Sequence, residues 1–489
     1  MGEKKLVRII QNELINFKNV EYGQMKYMSY SSVQNDAQIS KEDIVGIYGQ
    51  NGSGKTAVIE ALDIVKQLLC GSEIPYDIYE GLVSKEDTTI IKTVFFIMQG
   101  EKQYKVQYEV ALTVSADEKK ICLALEHLTF WDKGVKWKNE HELYFENPYY
   151  DGDAILTNAL PKVETKQIDF FNDAGVLKNL AVYCAQKNIS IFFNDLLAKN
   201  LGNQSGGQTD NQDFINVIRS LIYFGRSCFQ VVKVNQLGAI NSNSVLPLNV
   251  HSEFGNLIAQ GCFPLVMNGR GEIPEAIYEQ LKQVMKAINT AMKAIIPNLE
   301  IKLVPHNEET KPDGNKYIQV DVYSVRNGKM FSTKYESEGI KRIISLLQYL
   351  IALYNSPEIC LVVDELDSGI YEYLLGELIG VLKEDAKGQL IFTSHNLRIL
   401  EKLPNKNIVC STINPKNRYI RLVGVEKNHN RRDFYIRTIA LGGQKEELYD
   451  ESELQAMGYA FRRAGQRDSD VQIELSDTFR QLLKNAQRQ

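Results

Sequence analysis

The sequence predicts an α/β protein whose core is divided into two halves by a long mixed insert. Three observations predict it. Gly49-Gln50-Asn51-Gly52-Ser53-Gly54-Lys55-Thr56 sits between an apolar run, Asp43–Tyr48, and a helical stretch, Ala57–Leu69. Far downstream, Ile359–Val363 is a second apolar run, ending in Asp364-Glu365. A third, Gln389–Thr393, ends in Ser394-His395-Asn396. Apolar strands that deliver polar residues at their C-terminal ends are where open α/β sheets place their sites.

The segment 49–56 fits G-x-x-x-x-G-K-[S/T], the phosphate-binding P-loop, and its strand–loop–helix setting supports the match. Gly52 and Gly54 let the backbone curl so that successive N–H groups, including those of Asn51 and Ser53, face one phosphate at a helix N-terminus. Lys55 would reach the β- and γ-phosphates, and the Thr56 hydroxyl would hold Mg²⁺. The nucleotide expected is therefore ATP with Mg²⁺. Asp364 would orient the metal shell, and Glu365 would take a proton from the attacking water. His395, at the end of its own strand, would hydrogen-bond the γ-phosphate and sense its loss. Ser337-Glu338-Gly339 opens a helix predicted to run through Tyr354. Ser337 is a good cap for it, leaving N–H groups free to face an anion.

The order P-loop, insert, Ser-x-Gly helix, Asp-Glu strand, Asp loop, His strand resembles the ABC-type ATPases. Within them, SEGIKRI, LVVDELDSGI and LIFTSHN look like the AAA15 or OLD-type group of bacterial phage-defence systems. Two strands around Asn16-Phe17-Lys18-Asn19 resemble the opening of RecF- and Rad50-like proteins. Residues 5–70 and 330–400 carry the resemblance. It implies two subunits sandwiching two ATP molecules head to tail. Ser337, Gly339 and Asp367 of one subunit would complete the site formed by Lys55, Thr56, Asp364, Glu365 and His395 of the other. It also implies that Lys18 approaches the nucleotide. Gln99 is a candidate for the glutamine bridging Mg²⁺ and water, although its place in a hairpin is not the usual one.

The 489 residues allow two or three domains, here 1–70, 71–170, 171–330, 331–430 and 431–489 as successive segments of a split core, β-layer, insert, second half-core and tail. The composition, 44% hydrophobic and 24% charged, is that of a globular protein. A formal net charge of −5 argues against a broad DNA-coating surface. Seven scattered cysteines without C-x-x-C argue against zinc or disulfide frameworks and fit a reducing cytosol. No apolar run is long enough to span a membrane, and the N-terminus lacks the apolar core of a signal peptide.

In the insert, Thr88–Gln99, Gln103–Ser115 and Cys122–Asp132 read as antiparallel strands, the first two joined by a turn at Gly100-Glu101-Lys102. Leu177–Leu201 and Phe214–Phe224 read as helices. Pro274–Ile296 is the clearest helix of the insert, about six turns opened by a proline, and the insert is expected to be compact or at most a short helical arm. Ser205-Gly206-Gly207-Gln208 imitates a transporter signature. It lies too far upstream of Asp364, in a stretch that reads as a loop. In the tail, Arg431-Arg432 and Arg462-Arg463 read as solvated surface. Asp468-Ser469-Asp470 imitates a Toprim D-x-D, but no room remains for a Toprim sheet. His141, His251, His306 and His429 are isolated, so no nuclease chemistry is expected within the chain.

The function expected is an ATP-driven switch: a phage-defence ATPase, made of two or more copies of this chain, that controls a separate effector such as a Toprim or HNH nuclease. A phage protein or DNA would be its trigger. Two alternatives stand beside it, a RecF-like DNA-repair ATPase that clamps duplex DNA and a scaffold that rarely hydrolyses ATP.

Overall fold

The structure is a computed structural model. It describes residues 5–27, 43–115, 119–133, 137–146, 162–166, 174–202, 209–234, 245–254, 257–267, 269–312, 314–424, 430–449 and 454–464. Ser205–Gln208, His429 and Asp468–Asp470 lie outside them, as does the side chain of His251.

Strands β1 (Lys5–Phe17) and β2 (Val20–Lys26) form a hairpin, and β3 (Ile44–Tyr48) leads through the glycine-rich loop into α1 (Lys55–Leu69) and the short α2 (Tyr76–Tyr79). Then come β4 (Thr89–Gln99), β5 (Lys102–Ser115), β6 (Lys120–Lys133), β7 (Trp137–Glu146) and β8 (Lys162–Lys166). Helices α3 (Ala174–Lys187), α4 (Asp195–Gly202) and α5 (Thr209–Tyr223) follow, and a π turn, Phe224–Cys228, runs directly into β9 (Phe229–Val232). The insert continues with β10 (Val245–Phe254), β11 (Leu257–Val266), β12 (Gly271–Pro274), α6 (Glu275–Ile295), β13 (Leu299–Thr310), β14 (Lys316–Arg326) and β15 (Lys329–Ser332). The second half of the core is α7 (Glu338–Asn355), β16 (Cys360–Val363), α8 (Glu372–Asp385), β17 (Gln389–Thr393), α9 (Leu397–Lys402), β18 (Ile408–Ser411), β19 (Tyr419–Ile420) and α10 (Arg431–Leu441). All of these belong to one unit, Met1–Leu448; a second unit, Tyr449–Gln489, contains α11 (Leu454–Ala464).

The site is positioned by a sheet of order β19-β18-β3-β17-β16-β9, parallel throughout except for the β18–β19 pair. Its strands are short continuous apolar runs because both faces are covered. Alternate residues enter different cores. Val45, Ile47, Cys360, Val362 and Ile391 join one with α1; Ile44, Tyr48, Leu361, Val363, Leu390 and Phe392 join another with α6, α7 and α8. An antiparallel sheet of order β2-β1-β4-β5-β6-β7-β8 supplies the far wall of the first core. So α1 lies between two sheets and is buried nearly all round, from Val58 and Ile59 through Leu68 and Leu69. Each such aliphatic side chain stabilises by roughly 1.5–3 kcal/mol on leaving water.

Two side chains fasten the sheets together. The β1–β4 register shifts between Ile9 and Gln11, and Gln389 of β17 enters there, accepting from Ile9 N–H at 3.0 Å and donating to its carbonyl at 2.8 Å. Fully buried Arg8 pairs with Asp43 at 2.7 Å and donates to the Pro357 and Lys387 carbonyls. Losing one partner of such a pair costs about 3–5 kcal/mol, because the other charge stays buried.

Three features of the insert refine the sequence reading. The helix expected over Leu177–Leu201 is two helices, broken after Asn188, whose φ is +54°. The Asn188 side chain accepts from Leu123 N–H at 2.9 Å, and Asn194 caps the next helix through Leu197 N–H at 2.8 Å. Asparagine amides offer the backbone these alternatives to a continuous helix. Next, α6 buries Leu281, Met285, Ile288 and Met292, one stripe, in the core it shares with α7 and β13. Of the two expected forms, the compact insert is the one observed. Finally, β9 lies inside the stretch read as insert, yet it is an edge strand of the parallel sheet, beside β16.

Candidate active site

The loop from Gly49 to Gly54 caps α1. Gly49 has φ +154°, and a Cβ there would meet Ser411 Oγ at 2.0 Å, so only glycine fits. The first turn of α1 carries no acidic residue, leaving its positive end open to an anion. Asn51 and Gly52 are exposed at the tip, whereas Ser53 and Lys55 are buried. The Lys55 ammonium donates to the Gly49 and Gln50 carbonyls at 3.0 and 2.8 Å, and burial lowers its pKa against the raising effect of Asp364, Glu365 and Asp367.

The acids arrive from the neighbouring strands. Asp364 is buried where β16 ends; its Oδ1 accepts from Thr393 Oγ1 at 2.6 Å and from Thr56 Oγ1 at 3.4 Å. Thr56 and Asp364 thus bring two hard oxygen donors together, which fits Mg²⁺, an ion bound by one or two protein oxygens and otherwise by water and phosphate. When bound, the metal supplies charge neutralisation between phosphates. Glu365 N–H donates to Thr393 Oγ1 at 2.7 Å, and the residue adopts φ +46°, a left-handed conformation that costs a non-glycine residue roughly 1–2 kcal/mol. Partial burial, then Asp364 and Asp367, raise the Glu365 pKa, while Lys55 and Arg342 lower it. A carboxylate so placed is a candidate proton acceptor.

His395 follows β17 directly, and its backbone N–H donates to the Asp367 carboxylate at 3.1 Å. Partial burial, then Lys55, push the ring's pKa down, against the raising effect of Asp367 and Asp364. Asp367, expected by resemblance to serve the opposing subunit, lies within its own chain close to Lys55 and Glu365. Ser337 caps α7, accepting from Ile340 N–H at 3.4 Å, and stays exposed with Glu338. Gly339 packs on the loop after Asp367: a Cβ there would stand 2.2 Å from the Gly369 carbonyl. One contact thus joins the Ser-x-Gly helix to the Asp loop.

Two candidates lie elsewhere than expected. Lys18 pairs with Glu60 of α1 at 3.0 Å, and it is its neighbour Asn19 that reaches the P-loop, donating to the Gly52 carbonyl. Gln99 pairs with Lys5 and Lys102 at the end of β4 in the antiparallel sheet, a turn position set by the hairpin. The strand that ends beside Asp364 is β9, whose Val232 carbonyl accepts from Asp364 N–H at 2.9 Å. Lys233 then pairs with Asp63 of α1 at 2.6 Å. Gln236, the first glutamine after β9, lies outside the described residues. The run Phe229–Val232 was the available signal for this strand.

Sequence reading also missed the supports of the loop. Ser411 bonds Ser53 and donates to the Tyr48 carbonyl, Arg418 donates to the Thr412 and Asn19 carbonyls, and Tyr419 Oη donates to the Gly54 carbonyl at 2.8 Å. Other polar candidates are accounted for as structure. His141 stacks on Phe130, His306 pairs with Asp321, and Arg431 and Arg432 lie against Glu401. Among the described residues there is no cluster of His, Cys, Asp and Glu able to hold a metal, and no helix is long and apolar enough to cross a membrane.

Residues 288–401 match the family described as AAA domain, putative AbiEii toxin, Type IV TA system. That segment contains Ser337, Asp364, Glu365, Asp367 and His395; the P-loop lies outside it. Among curated proteins nothing matches. Among solved structures, the chain is similar to an Smc head domain with an extended coiled coil, bound to the C-terminal domain of ScpA, from Pyrococcus furiosus (13% identity, TM-score 0.37, covering 85% of this chain and 96% of that one). It is also similar to the SMC head domain from Thermotoga maritima (12%, 0.34, 85% and 100%) and to an Smc head domain with a coiled coil and joint from Pyrococcus yayanosii (11%, 0.39, 89% and 100%). The chain therefore carries a P-loop motif at 49–56 and, over residues 288–401, is similar to an AAA-domain family.

Proposed function

We propose that this chain hydrolyses ATP as a switch, closing as a head-to-tail pair around two nucleotides and opening after hydrolysis. The observation that carries the reading is the approach of Thr56 to Asp364, with Glu365 next in the chain at a turn that sets its carboxyl apart. Lys55 and the loop N–H groups bind the phosphates, and Thr56 and Asp364 hold Mg²⁺. Glu365 accepts the proton of the attacking water, and His395 touches the γ-phosphate. The exposed Ser337 and the N-terminus of α7 serve the γ-phosphate bound by the other subunit. Phosphoryl transfer is mostly positioning and charge stabilisation, so a lone subunit turns over slowly.

The output of the switch is control of a separate effector, such as a nuclease, in phage defence. The resemblance to the AAA15 group supports this, as does the toxin named in the matched family's description. A cytoplasmic setting follows from that role.

The test is Glu365→Gln beside the parent protein, with ATP and Mg²⁺, measuring mass in solution and phosphate release. Turnover is expected to fall about 10²–10⁴-fold while a dimer or larger assembly accumulates. Undiminished phosphate release would remove Glu365 as the base.

A further inference from the structure

Arg342 lies on α7, five residues after the Ser337 cap, and is 2% exposed. Its Nη2 stands 3.5 Å from the Asp364 carbonyl, and its Nε and Nη1 have no hydrogen-bond partner among the described residues. An arginine so deeply buried normally has its donors filled, because an unpaired buried charge is costly. The compensation here is electrostatic: Asp364, Glu365 and Asp367 all act on the guanidinium, against a burial that pushes its pKa down to about 10. The turn it faces is the one containing the left-handed Glu365. The turn's other bonds run to the flanking strands and within the turn: Asp364 N–H donates to the Val232 carbonyl of β9, Glu365 N–H to Thr393 Oγ1, Leu366 N–H to the Thr393 carbonyl and Ser368 N–H to the Glu365 carbonyl. Arg342 is the group that meets the turn from α7.

We propose that Arg342 is a positioning residue for hydrolysis: from α7 it holds the Asp364-Glu365 turn so that the Glu365 carboxyl is aimed at the attacking water. This rests on the ATPase reading above. Arg342 acts through the Asp364 carbonyl and through its charge, one of two cations, with Lys55, set against three carboxylates. Its place on α7 also means that any shift of the Ser337 end of that helix is felt at the turn. The planar fork matters for this role, and lysine does not reproduce it.

The experiment compares the parent, Arg342→Ala, Arg342→Lys and Glu365→Gln for kcat, KM for ATP, affinity for ADP and melting temperature. Arg342→Ala is expected to lower kcat about 10–100-fold, as loss of an orienting residue behind a reactive group does, with KM and ADP affinity within about 3-fold of the parent. Arg342→Lys falls between. A kcat unchanged in Arg342→Ala overturns the proposal, and so does an ADP affinity that drops in step with kcat. If the alanine variant does not fold, Arg342→Lys carries the test: parental melting with undiminished kcat overturns it. Glu365→Gln separates the two levels. If that variant keeps its turnover, the site reading itself has failed. If it loses turnover while the arginine variants do not, only the role of Arg342 has.

Discussion

Buried carboxylates occur on both large sheets, and the two places are built in opposite ways. On the antiparallel sheet, Glu126 of β6 is fully buried and fully bonded: Tyr108 Oη donates at 2.6 Å, Ile191 N–H at 2.9 Å, and Ser190 Oγ also donates. Ser190 in turn accepts from Phe192 and Phe193 N–H at 3.1 Å. That network ties β5 and β6 to the break between α3 and α4. At the edge of the parallel sheet, Asp364, Glu365 and Asp367 crowd one another, Glu365 is in a left-handed conformation, and Arg342 has unmet donors. A closed polar network specifies structure; an open and strained one is what a ligand completes. On the function proposed above, the second cluster does the chemistry and the first only holds the fold.

Breaking each cluster should therefore give opposite results. Lys55→Ala is expected to lower ATP turnover by more than about 10²-fold by removing a phosphate-facing charge, while the ligand-free melting temperature changes little. Glu126→Ala should do the reverse. It strands the Tyr108, Ser190 and Ile191 donors in the core and should destabilise by about 3 kcal/mol, with kcat unchanged in the folded protein. Calorimetry beside a phosphate-release assay reads both, and a Glu126→Ala protein that melts like the parent would collapse the distinction. Gly339→Ala is expected in between. Its Cβ would push on the Gly369 carbonyl, moving the loop after Asp367, for about 1–3 kcal/mol of strain and a fall in turnover.

The pH dependence set by Glu126 sharpens the comparison further. Burial raises its pKa from 4.5 to about 7, so the folded protein binds a proton that the unfolded chain releases. The protonated group's contribution is complete below pH 4.5 and is lost as pH rises through about 7. Each pH unit in that window weakens the fold by at most about 1.4 kcal/mol. Glu126→Gln, always neutral, should gain on the parent between pH 4.5 and 7 and hold that gain above it. Parallel stability curves for the two proteins would show that Glu126 does not titrate in this way.

What the sequence reveals of this molecule is what is local. The P-loop, the Asp364-Glu365 strand end, the Ser337 cap and the turn between β4 and β5 each sit within a dozen residues, where spacing alone carries the physics. What it hides is tertiary. Strand β9 is only four residues long, and its place in the parallel sheet shows only beside β16, more than a hundred residues away. Ser411, Arg418 and Tyr419 support the P-loop from the far end of the chain, and Arg342 reads as an ordinary charged helix residue until its burial is seen. Lys18 and Gln99 show the converse. Their sequence settings suggested the nucleotide, and in the fold one pairs with Glu60 while the other sits at a turn of the antiparallel sheet.

The most direct test of the shared site is to mix two inactive variants, Glu365→Gln and Ser337→Arg, before adding ATP. Each alone lacks one half of every composite site. In a mixed pair, one site joins an intact Glu365 to an intact Ser337, so random pairing should restore about a quarter of parental turnover. Recovery near that level means that ATP is hydrolysed between two copies of this chain. A mixture as inactive as its components would contradict the account and place the whole reaction within one subunit.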